Sequence, residues 1–119
     1  MRKFSALVVE DDEELGEIFV DLLETTGLKV ERVGDGQLAL DSLKQFTPDI
    51  MMLDMHLPRV SGLEILQQVR ADARLQNIEV VVVTADALLS NVVRDQADFV
   101  LIKPVDYSQL NTLIERLAG

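Results

Sequence analysis

The 119 residues contain no cysteine and no tryptophan, with only three prolines and one histidine. Without cysteine there is no disulfide framework, no thiol catalysis and no thiolate-held zinc, and the absence fits a reducing compartment. Basic residues are scarce too: 11 Lys and Arg stand against 21 Asp and Glu, a formal net charge of −10. With no basic cluster longer than Arg2-Lys3, the chain would be repelled by a phosphate backbone or an anionic bilayer. Direct nucleic-acid binding and membrane attachment are therefore not expected. Long apolar runs are missing as well. The stretch behind Arg2-Lys3 lasts only from Ala6 to Val9 before Glu10 interrupts it, too short for a secretory signal or a membrane span. The expected location is the cytoplasm. What is present is 48% hydrophobic residues, enough for one apolar core at this length. The chain is read as one domain, 1–119, standing alone or cut from a longer protein.

Short apolar runs alternate with amphipathic segments along this domain. Ala6 to Val9 and Val80 to Val83 read as strands, joined by Lys29 to Val33, Asp49 to Leu53 and Phe99 to Ile102. Runs apolar on both faces suit parallel strands covered by helices on each side. Between them the apolar period lengthens to about 3.6. Leu15, Ile18, Phe19, Leu22 and Leu23 make the apolar face of a first helix, which Gly27 stops. Leu38 to Phe46 and Leu63 to Arg70 give the second and third, the third opened by Ser61 and Glu64 at capping-box spacing. A fourth, within Asp86 to Gln96, carries Leu88, Leu89, Val92 and Val93 over barely two turns. Leu110, Leu113, Ile114 and Leu117 stripe a final helix, with Asp106 and Gln109 placed to cap its start. Five strand and helix alternations predict a layered α/β domain with right-handed crossovers around a parallel sheet.

In such a sheet the carboxyl ends of the strands open onto one edge, where ligands bind. Strand one ends in Glu10, Asp11 and Asp12, strand three in Asp54, strand four in Thr84 and strand five in Lys103. Carboxylates crowded at one edge raise each other's pKa unless a cation neutralises them. Oxygen ligands without cysteine point to a hard divalent ion, Mg²⁺, which accepts one or two carboxylates and keeps waters for an incoming phosphate. Such an ion holds phosphoryl oxygens while a carboxylate attacks phosphorus. The Lys103 ammonium and the Thr84 hydroxyl add the charge neutralisation and positioning on which phosphoryl transfer depends.

The motifs that carry this edge are familiar as a set. Ala6 to Glu13, Asp49 to Pro58 with Ser61 and Gly62 following, Val82 to Ala85, and Lys103-Pro104 together resemble the receiver domain of two-component response regulators over essentially the whole chain. The resemblance implies a doubly wound, flavodoxin-like three-layer sandwich with five parallel strands in the order 2-1-3-4-5. It implies a signalling switch rather than an enzyme. Asp54 is then the phosphoacceptor, charged by a sensor histidine kinase or a histidine phosphotransfer domain, and the response passes to an output domain or target protein. Asp11 would ligate Mg²⁺, Glu10 would hold it through water, and Asp54 and the His56 carbonyl would complete the set. By motif register Glu10 and Asp11 are preferred, although Asp12 could replace either. Lys103 would pair with the phosphoryl oxygens, Thr84 would move inward to bind them, Ala85 leaves room, and Pro104 follows a cis peptide that places the ammonium. By the same resemblance His56 and Asp86 would border the pocket and set the lifetime of the acyl phosphate.

Two features depart from the family pattern. The position three before the lysine, commonly aromatic, is Val100, while Phe99 is expected to pack in the core instead. Only nineteen positions separate Thr84 from Lys103, about one helical turn fewer than the pattern, which predicts a short or irregular fourth helix. Rival readings fare less well. A nucleotide or flavin carrier needs a phosphate-cradling loop after strand one, where this chain has five acidic residues from Glu10 to Glu14. An aspartyl phosphatase needs an acid two places after its nucleophile, where His56 stands. The nearest rival is a receiver-like interaction module that works without phosphorylation.

Overall fold

The computed structural model describes residues 5–118. Five strands and five helices alternate as β1 (Ser5–Val9), α1 (Glu13–Glu24), β2 (Lys29–Val33), α2 (Gly36–Gln45), β3 (Ile50–Asp54), α3 (Gly62–Ala71), β4 (Glu79–Thr84), α4 (Ala87–Val93), β5 (Phe99–Ile102) and α5 (Tyr107–Ala118). All strand pairs are parallel, in the order β2-β1-β3-β4-β5. The layered fold expected from the alternation is the one observed.

Strand alternation divides the apolar side chains between two cores. Ala6, Val8, Ile50, Met52, Val81, Val83 and Leu101 face α1 and α5, where Phe19, Leu23, Leu110 and Ile114 meet them. Leu7, Val9, Met51, Leu53, Val80 and Val82 face the other way onto Leu43, Ile65, Leu66, Val69 and Val93. β3 lies in the middle with all five residues buried, which is why its sequence shows no alternation. Phe99 is half-buried and packs against the first core, as expected, and Val100 against the second.

Helix ends follow from their capping residues. Asp12, Asp35 and Ser61 accept from the third backbone N–H beyond them at the starts of α1, α2 and α3. Gly27, with φ +90°, takes the left-handed turn after α1 that costs other residues steric strain. Ile18 and Leu38 stand exposed, at 44% and 47%, although the apolar periods of α1 and α2 include them. α1 buries the expected Phe19, Leu22 and Leu23 with Gly16 beside them, and α2 buries Gly36, Ala39 and Leu43. α4 has seven residues, the short helix expected from the missing turn.

Arg70, near the end of α3, secures the strand-entry end of the sheet. Its Nε donates to Gln96 O at 2.7 Å, Nη1 to Gln76 O at 2.9 Å and Ile78 O at 2.7 Å, and Nη2 to Asp98 Oδ2 at 3.0 Å. Asp98 Oδ2 also accepts from the Val80 N–H at 2.7 Å. One guanidinium fork thus ties α3 to the segments entering β4 and β5. Arg70→Ala is expected to cost about 2 kcal/mol, read from the urea midpoint, because it strips donors from three carbonyls and one carboxylate at once.

Candidate functional site

The five strands deliver their carboxyl ends to one edge, and the sequence-derived residues meet there. Glu10 follows β1, Asp54 closes β3, Thr84 closes β4, and Lys103 follows β5. Glu10, Asp54 and Thr84 are 1%, 2% and 0% exposed. Buried carboxylates are costly without partners, and here the partner is Lys103. Its Nζ lies 3.3 Å from Asp54 Oδ2 and 3.4 Å from Glu10 Oε1. The Lys103-Pro104 peptide is cis, and the Lys103 N–H donates to Thr84 O at 2.8 Å.

Backbone donors hold the acids in place. The His56 N–H donates to Asp54 Oδ1 at 3.0 Å, and the Asp12 N–H donates to Glu10 Oε2 at 3.2 Å. Burial pushes the Glu10 carboxyl from 4.5 up to about 7, and its hydrogen bond with Asp54 and the Asp54 charge add to the effect. For Lys103 burial acts against the charge, yet the Glu10 and Asp54 carboxylates outweigh it and keep the ammonium above its ordinary value. The site is short of positive charge: two buried carboxylates share one ammonium.

Glu10, Asp11 and Asp54 each offer a carboxylate oxygen within 4.8 Å of the others, Glu10 and Asp54 buried and Asp11 exposed. Glu10 Oε1 is buried with no hydrogen-bond donor, its ion-pair partner being the Lys103 ammonium at 3.4 Å. An all-oxygen set in which two buried carboxylates share a single ammonium fits a hard divalent cation. Asp12 is engaged elsewhere, capping α1 through its Oδ1 and the Leu15 N–H at 3.0 Å. Asp86 caps α4 by accepting from the Leu88 and Leu89 N–H groups, while its own N–H donates to Thr84 Oγ1 at 3.0 Å. His56, Ala85, Asp86 and Pro104 are exposed at the rim.

Arg32 escapes the sequence reading altogether. From the edge strand β2 its Nη2 donates to Glu10 O at 2.7 Å, so an arginine supports the backbone between two of the acids. The signal available in the sequence is Gly16, a glycine inside a helical pattern, which marks a close approach to a neighbour.

The sequence and the architecture both have close parallels. A family model described as the response regulator receiver domain matches residues 6–115. The polar-differentiation response regulator DivK of Brucella anthropi is 39% identical over 84 residues, 71% of this chain and 68% of that protein. The structure of the bacteriophytochrome response regulator RtBRR superimposes with a TM-score of 0.81 at 33% identity, covering 100% of this chain and 79% of that one. The chemotaxis response regulator CheY4 of Vibrio cholerae, at 21% identity and TM-score 0.85 over 97% of this chain and 98% of its own, shares the fold.

Proposed function

The chain belongs to the family of response regulator receiver domains of two-component systems, and on that premise we propose that it is switched by phosphorylation of Asp54. Response regulators receive phosphoryl groups from histidine kinases. In this reading an Asp54 carboxylate oxygen attacks the phosphorus of a phosphohistidine. The P–N bond breaks as the P–O bond forms, and the imidazole leaves after taking a proton from solvent. The observation that carries the reading is the ammonium of Lys103 within 3.4 Å of both Asp54 and Glu10, a charge positioned where phosphoryl oxygens would arrive.

Glu10, Asp11 and Asp54, with the His56 carbonyl, are the groups that would hold Mg²⁺. When bound, the ion supplies neutralisation of the carboxylates and of the incoming phosphoryl oxygens. The chain's own groups do the rest. Lys103 exchanges its carboxylate partners for phosphoryl oxygens, and Thr84 turns its hydroxyl from the Asp86 N–H toward them. Phosphorylation adds about two negative charges, so these contacts bias an equilibrium between two conformations by a few kcal/mol. The acceptor works with a kinase or a phosphotransfer domain as donor, in the cytoplasm, and passes its state to an output domain or target. Among the described residues no helix is long and apolar enough to cross a membrane.

The test is an NMR titration with Mg²⁺ and then beryllofluoride, which mimics a phosphoryl group on a carboxylate, with Asp54→Asn as control. Mg²⁺-dependent shifts at Asp11, Asp54, Thr84 and Lys103 that vanish in the control are expected. No response in the wild type would instead favour an interaction module independent of phosphorylation. Removing the polar rim with His56→Ala and Asp86→Ala together is expected to lengthen the acyl-phosphate half-life roughly fivefold, about 1 kcal/mol of barrier. Unchanged decay of the phosphorylated double variant would remove both residues from that role.

A further inference from the structure

The structure assigns Arg32 a part in this site: we propose that it is a positioning residue that fixes the Glu10–Asp11 peptide, and through it the affinity of the acidic edge for a divalent cation. The inference rests on the cation reading above. β2 holds the Glu10 backbone from both sides, since the Glu10 N–H donates to Val33 O at 3.1 Å and Glu10 O accepts from Arg32 Nη2 at 2.7 Å. That carbonyl belongs to the peptide joining two of the three clustered carboxylates. A charge-assisted hydrogen bond on it sets the plane of the peptide, and the plane of the peptide sets the direction in which Asp11 leaves the chain. The Asp11 carboxylate is exposed, so little else in the fold can orient it.

Two further observations mark the arrangement as built. Arg32 Nε is buried without a hydrogen-bond partner, a cost that needs a compensating role. And α1 makes room for the guanidinium with a glycine: a Cβ on Gly16 would lie 2.3 Å from Arg32 Nε and 2.8 Å from its Cδ. Glycine in a helix interior sacrifices about 1 kcal/mol relative to alanine, and at this position it admits the arginine.

The experiment titrates MgCl2 into the full chain by calorimetry, following the Asp11 and Asp12 amides by NMR, with unfolding recorded in parallel. Arg32→Met is expected to weaken Mg²⁺ binding about tenfold, the scale for partners that orient metal ligands. Arg32→Lys, which keeps the charge and a donor, is expected to recover part of that loss. Gly16→Ala touches none of the acids, yet its new methyl displaces the guanidinium. It is expected to weaken Mg²⁺ binding in a domain that remains folded, at the modest stability cost of the lost Arg32–Glu10 contact that the parallel unfolding curve reads.

Unchanged affinity in Arg32→Met or in Gly16→Ala would overturn the proposal. Tighter binding in Arg32→Met would overturn it as well, since the arginine would then act only as a repelling charge. Should Arg32→Met fail to fold, the Gly16→Ala and Arg32→Lys results decide. Wild type that binds no Mg²⁺, or an Asp11→Asn variant that binds it equally well, would bring down the cation site itself along with the inference.

Discussion

Asp54→Asn is expected to abolish phosphoryl incorporation and, in the absence of divalent metal, to make the domain more stable. The stability gain follows from Glu10, whose carboxyl sits near 4.5 in the unfolded chain and about 7 in the fold. Between those values the folded form holds a proton that the unfolded form has released, so stability falls as pH rises through the window and the loss is complete above it. The gap corresponds to about 3 kcal/mol as an upper figure. Burial is the largest cause of the shift, and the hydrogen bond and charge of Asp54 come next. Asparagine removes the charge and leaves the burial. Urea unfolding in EDTA at about pH 8 should therefore show Asp54→Asn about 1 to 2 kcal/mol more stable than wild type, with a shallower decline between about pH 5 and pH 8. A wild-type profile that is flat over that range would show that the two carboxylates do not oppose each other. A residue whose replacement stabilises the fold while ending its function is what a functional site at the expense of stability looks like.

Gly36→Ala is expected to cost the fold about 3 kcal/mol and to lower the rate of phosphorylation with it. A Cβ at this first residue of α2 would meet Val60 O at 1.8 Å and Val60 C at 2.6 Å, backbone atoms that no side-chain rotation can clear. The Gly36 N–H also donates to Pro58 O at 3.2 Å. The start of α2 is thus pressed against the segment that leads out of Asp54. Displacing that segment disturbs the His56 N–H that holds Asp54 Oδ1. Thermal unfolding and phosphoryl transfer from a small-molecule donor, measured on the same preparation, should both fall. A variant with wild-type Tm would mean that the loop yields freely.

The sequence makes the strand ends legible because a parallel sheet collects them without need of side-chain detail. Asp54, Thr84 and Lys103 could be found from the residue that terminates each apolar run. The apolar runs themselves located β4 and β5 to within a residue, and β3 shifted by one because Asp54 still pairs in register with Val83. What periodicity could not supply is depth. Ile18 and Leu38 have the right spacing, yet α1 and α2 are rotated so that Gly16 and Gly36 make the close contacts. Glu10, Asp11 and Asp12 are three consecutive acids with three different fates: one buried beneath Lys103, one exposed at the cation edge, one capping α1. Their separation depends on how β1 gives way to α1. Arg32 and Arg70 were illegible for the same reason, since each works on carbonyls of segments distant in sequence, and carbonyls leave no mark in composition.

The seven residues of α4 also determine how readily different parts of the domain open. Leu88 and Val92 are 79% and 65% exposed, and Val93 and Ser90 are the residues of this helix that are buried. A helix holding so little apolar surface can unfold locally without breaking the rest, whereas the fully buried β3 can exchange its amide hydrogens only when the whole domain unfolds. Hydrogen exchange should accordingly rank α4 among the first segments to label and β3 among the last. The helix that Asp86 caps just beyond Thr84 is then a part of the protein whose rearrangement demands little free energy. In the proposed switch, a bias of a few kcal/mol at the end of β4 would be expressed as motion of this helix before it disturbed the buried β3.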